Sequence, residues 1–311
     1  MRQSNCKASL LVAAALSTMA VGAAGAQQVD AQLGNVHFET SCNEVAQRRF
    51  DRAMRYQHSF WYNAANDIFV ESYQADPACA IAYWGVALTL LNNPHGAIPT
   101  PNLPLGLAAI EKARTLGAKT ERERDYIEAL ALMYVNYEKL SHTQRIQAYL
   151  KKMEALAAKY PEDDEAQIAY AITLNASADP TDKSYLQQAK GTAILEPIAR
   201  RLPSHPGVPH YLIHLYDYPE TAQKGLEAAN RYAKVAPAAP HAQHMPSHIF
   251  TRVGYWKESI ASNLASAKAA VVTKEWDDQM HGMDYLVYAY LQVADDDKAK
   301  AVTAEMAEGH F

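Results

Sequence analysis

Clusters of lysine and arginine are absent from this 311-residue sequence. The chain holds 29 basic and 34 acidic residues, which gives a formal net charge of −5 at pH 7. Nucleic-acid binding depends on many basic side chains that neutralise phosphates. We therefore expect no nucleic-acid partner, and no polybasic patch that would hold the protein to a membrane surface.

Motifs that mark common nucleophilic or zinc enzymes are also missing. The sequence contains no G-x-S-x-G, no H-E-x-x-H and no cysteine–histidine signature. These patterns supply the nucleophile or the zinc ligands of several hydrolase classes. A hydrolytic or oxidative reaction would therefore depend on a metal ion held by other residues.

A long apolar run occurs only near the N-terminus, from Ala8 to about Val21. Arg2 and Lys7 precede its core and small residues at 24–26 follow it, a pattern typical of a secretory signal peptide. The run is shorter than the about 20 apolar residues of a transmembrane helix. We expect residues 1–26 to be removed and residues 27–311 to form one periplasmic or secreted domain, without membrane insertion after cleavage. An uncleaved N-terminal anchor is the alternative.

Cysteine is scarce, with three residues in the whole chain. Cys6 would leave with the signal peptide, so Cys42 and Cys79 remain as an even pair in an oxidising compartment. A disulfide between them is predicted to clamp the first helix pair. Two buried free thiols are the alternative.

Strand-like alternation is short and rare, whereas Ala, Leu, Glu, Lys and Gln fill most segments. These residues favour helices, so the fold is predicted to be all-α. Residues 92–106, NNPHGAIPTPNLPLG, are rich in proline and glycine and are predicted to form an insertion loop rather than a helix. Residues 176–184 form a second break.

Segments at 58–88, 219–237 and 252–270 share small and aromatic residues, and the first two also have a proline at the end of a helix. Small residues let helices approach closely, aromatic side chains fill the space between pairs, and proline ends a helix. This pattern resembles the tetratricopeptide repeat, a helix–turn–helix unit of 34 residues. The resemblance implies one α-solenoid of antiparallel helix pairs, with a concave groove that in this family commonly holds a peptide.

Two His-x-x-x-His pairs lie 34 residues apart, within the histidine-rich repeats at 205–290. His210 pairs with His214, and His244 pairs with His248. The resemblance implies that all four positions face the concave groove. His241, Asp217 and His58 also fall at groove positions of the repeat.

Residues four apart on a helix lie one above the other, so each pair can bind a metal ion. Equivalent helices of neighbouring repeats lie about 8–10 Å apart, so the four imidazoles could converge on a common ion. Copper, iron or zinc would suit such ligands. His241 is a possible additional ligand. Asp217 could be a ligand or could orient an imidazole through its second nitrogen.

The next helix pair begins with His281 and Asp284. The connector at 271–281 is longer than its counterparts, so His281 joins the site only if the helix rotates. Asp217 and Asp284 are the candidates for a general acid or base, because carboxyl groups commonly move protons in catalysis.

Three other details affect this hypothesis. Pro246 would lie in a first helical turn if its helix begins near Ala242, and would kink the pair if the helix begins earlier. His205 is expected in a loop. His95 lies in the insertion, which could fold over the groove.

Three functions fit these observations. The first is a metal-dependent oxidase, oxygenase or hydrolase that acts on a small molecule. The second is a non-catalytic scaffold that binds a peptide or protein in its groove, and the third is metal storage or sensing. Repeat duplication without metal binding would also copy histidines, but YLIHLYD and MPSHIFT share little besides histidine.

Overall fold

The computed structural model of the protein describes residues 29, 30 and 32–308. The predicted signal peptide at 1–26 lies outside the described residues. The described part is all-α, as predicted, and contains no β-strand. No helix within it is both long enough and apolar enough to span a membrane.

The helices follow one another with short connections. In chain order they are α1 Glu44–His58, α2 Tyr62–Ala75, α3 Ala80–Leu90, α4 Asn102–Leu116, α5 Glu121–Ala131, α6 His142–Lys159, α7 Asp164–Ala176, α8 Leu186–Arg201, α9 Gly207–Tyr216, α10 Leu226–Val235, α11 Pro240–His244, α12 Pro246–Val253, α13 Trp256–Thr273, α14 Trp276–Gln292 and α15 Asp296–Glu308. A short 3₁₀ turn, Ala222–Gly225, precedes α10.

Each helix packs mainly against its neighbours in sequence, as in an α-solenoid. Gly85 on α3 allows one of these close approaches, because a Cβ atom there would lie 2.3 Å from the Phe69 ring of α2. Helix α9 also contacts α1 and α7. These contacts bring the C-terminal end of α1 next to the histidines of α9.

An extended segment before α1 contacts the connections before α9 and after α10. The Asn35 amide donates to the carbonyl oxygen of Ser204, and the Ala238 amide donates to that of Gln32. Gly34 has φ +71°, and a Cβ atom at this position would lie 2.4 Å from the Ser204 oxygen. Only glycine fits this backbone without displacement. The segment thereby fixes the position of the turn that precedes α9.

Local sequence explains several helix starts. Thr120 and Glu123 form a reciprocal capping box at α5, and Ser141 and Gln144 form another at α6. Each box satisfies amide groups that lack a partner inside the helix. Helix α4 begins at Asn102, so the prediction of a loop over all of 92–106 is wrong for its last five residues. Pro104 is compatible with that helix because it lies in the first turn, where no intrahelical amide bond is lost.

The histidine pair at 244 and 248 spans a break in a helix. Helix α11 begins at Pro240 and ends at His244, and Pro246 is the first residue of the next helix, α12. Met245 keeps helical angles of φ −52° and ψ −36°, but Pro246 has no amide hydrogen, and the helix is divided there into α11 and α12. The two histidine side chains nevertheless stay on the same side.

The sulfur atoms of Cys42 and Cys79 lie at bonding distance, 1.93 Å, in the structure. Cys42 precedes α1 and Cys79 precedes α3, so the link encloses the first helix pair, as predicted.

Reduction of this link is expected to lower the free energy of unfolding by about 3–4 kcal/mol, because the unfolded chain regains the freedom of a 37-residue loop. Urea unfolding of the mature protein with and without reductant measures the difference. Alkylation of both thiols in the untreated exported protein would contradict the pairing.

Candidate metal centre

The first group of histidines joins α9 to α11. His210 and His214 lie one turn apart on α9, and His241 lies near the start of α11. The Nε2 atom of His210 lies 3.1 Å from that of His214 and 3.1 Å from that of His241. One nitrogen from each of the three residues lies within 4.8 Å of the other two.

The second group joins α11 and α12 to α14. His244 and His248 approach each other through their Nε2 atoms at 3.0 Å. His281 on α14 completes the group, with its ring centroid 4.3 Å from that of His244. His281 therefore reaches the site, although the connector at 271–281 is longer than its counterparts.

The two i, i+4 pairs belong to different groups. Ligand atoms that lie within 4.8 Å of one another define the groups, and each pair takes its third histidine from a neighbouring helix. The His214 and His248 rings, one from each group, are 6.3 Å apart. The structure thus favours two adjacent groups of three imidazoles over the one ion expected from the sequence.

Buried hydrogen bonds orient one histidine in each group. His210 Nδ1 donates to the carbonyl oxygen of His58 at 2.6 Å, and His244 Nδ1 donates to Asn263 Oδ1 at 2.6 Å. The Asn263 amide nitrogen donates to Ser259, which leaves its oxygen to face the imidazole. Both histidines must then carry their hydrogen on Nδ1, so Nε2 presents a lone pair to the group.

Carboxylates lie next to the Nδ1 atoms of two further imidazoles. His248 Nδ1 donates to Asp217 Oδ2 at 2.8 Å, and Arg252 donates to the other Asp217 oxygen. Burial alone would raise the pKa of Asp217, but these two partners hold it below its usual range. His241 Nδ1 lies 3.6 Å from Asp278. Asp217 thus orients an imidazole, one of its two predicted roles, and stands outside both histidine groups.

The Nε2 atoms of His244 and His248 face each other in the second group. Both residues donate from Nδ1, so when both rings are neutral their Nε2 lone pairs meet at 3.0 Å. A proton on one of these nitrogens, or a metal ion close to both, removes the repulsion between them. A tetrahedral zinc or copper ion with bonds of 2.0–2.1 Å holds two nitrogens about 3.3 Å apart, so the spacing fits a metal ion.

Burial favours neutral imidazoles in both groups. It lowers the pKa of His210, His214 and His244 well below the usual range, and the neighbouring histidines lower it further. Neutral imidazole is the form that binds metals. His210 and His244 are almost fully buried, so they are not placed to contact a peptide lying in an open groove.

Two residues close the first group from outside. His95, in the insertion, lies with its ring 4.4 Å from that of His214. Phe60, between α1 and α2, lies 4.3 Å from the His210 ring and 5.1 Å from the His241 ring. Phe60 has φ 55°, which is uncommon outside glycine, so the surrounding contacts hold it in a strained backbone conformation.

A third titratable cluster lies behind the first group. Glu165 on α7 accepts from His58 Nε2 at 3.0 Å and from His205 Nε2 at 2.8 Å. His58 Nδ1 bonds to the Tyr211 hydroxyl, and His205 Nδ1 accepts from the Gly207 amide. These three side chains could also hold a metal ion. Their nitrogens already have hydrogen-bond partners, however, so we interpret the cluster as a buried support for His210.

The candidate acid Asp284 is exposed on α14 and acts on His281 and Tyr285 only as a nearby negative charge. The sequence did not point to Glu165, Asn263 or Tyr285, whose ring lies 4.8 Å from that of His244. His205 lies in the loop before α9, as predicted, and its side chain is buried in the support cluster. No spacing in the sequence could have predicted these contacts, because each contact joins segments that are distant in sequence.

No protein-family model matches this chain, and the search of curated proteins found no match. The fold and the geometry of the site are therefore the basis for its function.

Proposed function

We propose that this protein is an exported metalloprotein that binds two transition-metal ions, one in each group of three histidines, and uses the pair for oxidation of a small molecule. One observation carries the proposal: six imidazoles form two adjacent groups whose Nε2 atoms converge. Hydrogen bonds at Nδ1 orient His210, His244 and His248, as is typical of metal ligands.

The ligand chemistry favours copper. Both groups offer only imidazole, which suits copper and also catalytic zinc, whereas non-haem iron sites usually include a carboxylate. Six neutral ligands do not offset the charge of two divalent ions, which favours Cu(I) in the resting protein. Copper also binds most tightly of the first-row divalent metals to nitrogen ligands.

Three protein ligands leave coordination positions open at each ion. Bound copper would supply electrons to dioxygen, and bound zinc would instead activate water for hydrolysis. The chain's own residues hold the imidazoles neutral and oriented, and Phe60 and His95 cover the first group.

Metal analysis tests the proposal. The mature protein, purified from copper-replete cells, is expected to hold about two copper ions per chain, because two complete sets of imidazole ligands are present. Two zinc ions would keep the paired centre and change the reaction to hydrolysis. A content below about 0.2 metal ions per chain would end the metal hypothesis. It would leave the non-catalytic scaffold, for which the burial of His210 and His244 offers no support.

Assignment to the tetratricopeptide family and export remain part of this proposal. The 34-residue offset of the two histidine pairs and the sequential helix packing support the family. The Cys42–Cys79 link supports an oxidising compartment.

A further inference from the structure

One aromatic ring lies against each of the two histidine groups. The Phe60 ring contacts all three imidazoles of the first group, with centroid distances of 4.3, 5.7 and 5.1 Å to His210, His214 and His241. The Tyr285 ring contacts all three of the second group, with centroid distances of 4.8, 5.0 and 5.2 Å to His244, His248 and His281. Both groups thus have a cover on one side. Access from solution to an ion in either group therefore depends on the other sides.

Further rings cover the first group. The Tyr232 ring stacks on the His210 ring, with centroids 4.8 Å apart. The His95 ring lies 4.4 Å from that of His214. His210 is fully buried, and 13% of the His241 side chain is exposed. A molecule from solution would have to displace one of the covering rings to reach an ion held by the first group.

The turn that carries Phe60 is tied to two distant parts of the solenoid. On one side of Phe60, the carbonyl oxygen of His58 accepts the hydrogen bond from His210. On the other side, the indole N–H of Trp61 donates to Glu275, which precedes α14. Movement of this turn away from the histidines would break both bonds. The structure therefore holds the Phe60 ring against the first group.

The second group has one side that faces solvent. His281, one of its three members, is exposed, whereas the other two are buried or partly buried. Asp277 and Asp284 lie one turn before and one turn after His281 on α14, and both are exposed as well. This face of α14 therefore borders solvent beside the second group. An ion with three protein ligands keeps a coordination position for a molecule from outside.

We infer that an ion in the second group binds small anions from solution at this position, and that an ion in the first group is closed to them by Phe60. The inference rests on the proposed function, because both groups must hold an ion. The observation behind it is separate: several rings cover the first group, whereas one ligand of the second group is exposed. The ion of the second group is then the one that contacts the reacting molecule.

Azide binding to variants with a single complete group tests the inference. His248→Ala keeps the first group complete, and His214→Ala keeps the second. Each full mature variant is loaded with one equivalent of copper(II), and the absorption band of the copper–azide complex is recorded as azide is added. We expect the second group to bind azide about tenfold more tightly, because azide needs a reachable position on the ion. Equal affinities, or tighter binding by the first group, would overturn the inference.

Removal of the covering ring tests the role of Phe60. In the His248→Ala protein, the added change Phe60→Ala is expected to raise the affinity for azide about tenfold. Tyr73→Ala is the matched control, because Tyr73 is also a partly buried aromatic residue but stacks on Tyr83 instead of a histidine. Circular dichroism checks the helix content of each variant. An unchanged azide affinity in folded Phe60→Ala protein would refute the closure by Phe60.

Copper loss gives a second measurement that leaves Phe60 in place. A chelator is expected to remove copper faster from His214→Ala than from His248→Ala, and equal rates would contradict the inference. Failure of the proposed function has a different result. Variants that take up no copper would exclude the metal groups and this inference with them, whereas copper-loaded variants with equal azide affinities would overturn only the difference in access.

Discussion

His214→Ala is expected to reduce the metal content from about two ions per chain to about one, because the two groups of three histidines have separate ligands. His248→Ala is expected to give the same content by emptying the other group. The double variant is expected to hold essentially no metal. His214 and His248 are only partly buried, so their truncation disturbs packing less than that of His210 or His244. Elemental analysis after gel filtration measures all three variants.

His37→Ala is the matched control. His37 is exposed, bonds to Asp51 and lies outside both groups, so its replacement is expected to keep two ions. Circular dichroism of each variant checks that helix content is unchanged. Loss of both ions in a single variant would mean that the two groups do not bind their ions independently, and one ion in the natural protein lost in either variant would indicate the single shared ion first expected from the sequence.

The sequence predicted the helical fold and the two i, i+4 histidine pairs, because both depend on local signals. Helix-forming composition and the 34-residue offset are local signals, and they correctly predicted an all-α fold. The i, i+4 spacing placed His210 beside His214 and His244 beside His248. These contacts lie within one helical turn or across a single break, so no long-range information was required.

The division into two groups could not be read from the spacing. It arises because His241 contacts α9 whereas His244, three residues later, contacts the imidazole on α14. The direction of each side chain depends on how α11 crosses its neighbours. The break at Pro246 also had two possible outcomes, and only the observed start of α11 at Pro240 decides between them.

The buried support behind the first group was unpredictable for a different reason. His58, Glu165 and His205 come from α1, α7 and the turn before α9, and their contacts depend on how the solenoid brings α9 against α1. A glutamate in the first turn of a helix usually reflects the helix dipole and predicts nothing further. Its burial between two histidines is visible only in the folded chain.

Glu165→Leu is expected to lower the free energy of unfolding by about 3–5 kcal/mol, because removal of one partner leaves two buried imidazole N–H groups unpaired. Glu165→Gln should cost less, since one oxygen remains as an acceptor. Glu154→Gln is the control: Glu154 is also on a helix and bonds to Lys190 and Tyr170, but at the surface, where such pairs contribute about 0–1 kcal/mol. Urea unfolding of the chelator-treated proteins measures these differences.

The difference in stability between the natural protein and Glu165→Gln depends on pH, and this dependence tests whether the Glu165 carboxylate is its source. Burial would raise the pKa of Glu165, but His58 and His205 hold it well below its usual range. A lowered pKa in the folded protein gives stability that is complete above the unfolded value of about 4.3 and is lost as the pH falls below it. The stability advantage of the natural protein over Glu165→Gln should therefore shrink as the pH falls below about 4.3. An advantage that instead grew below that pH would mean that Glu165 is protonated in the folded protein, and the orientation of His58 behind His210 would then need another cause.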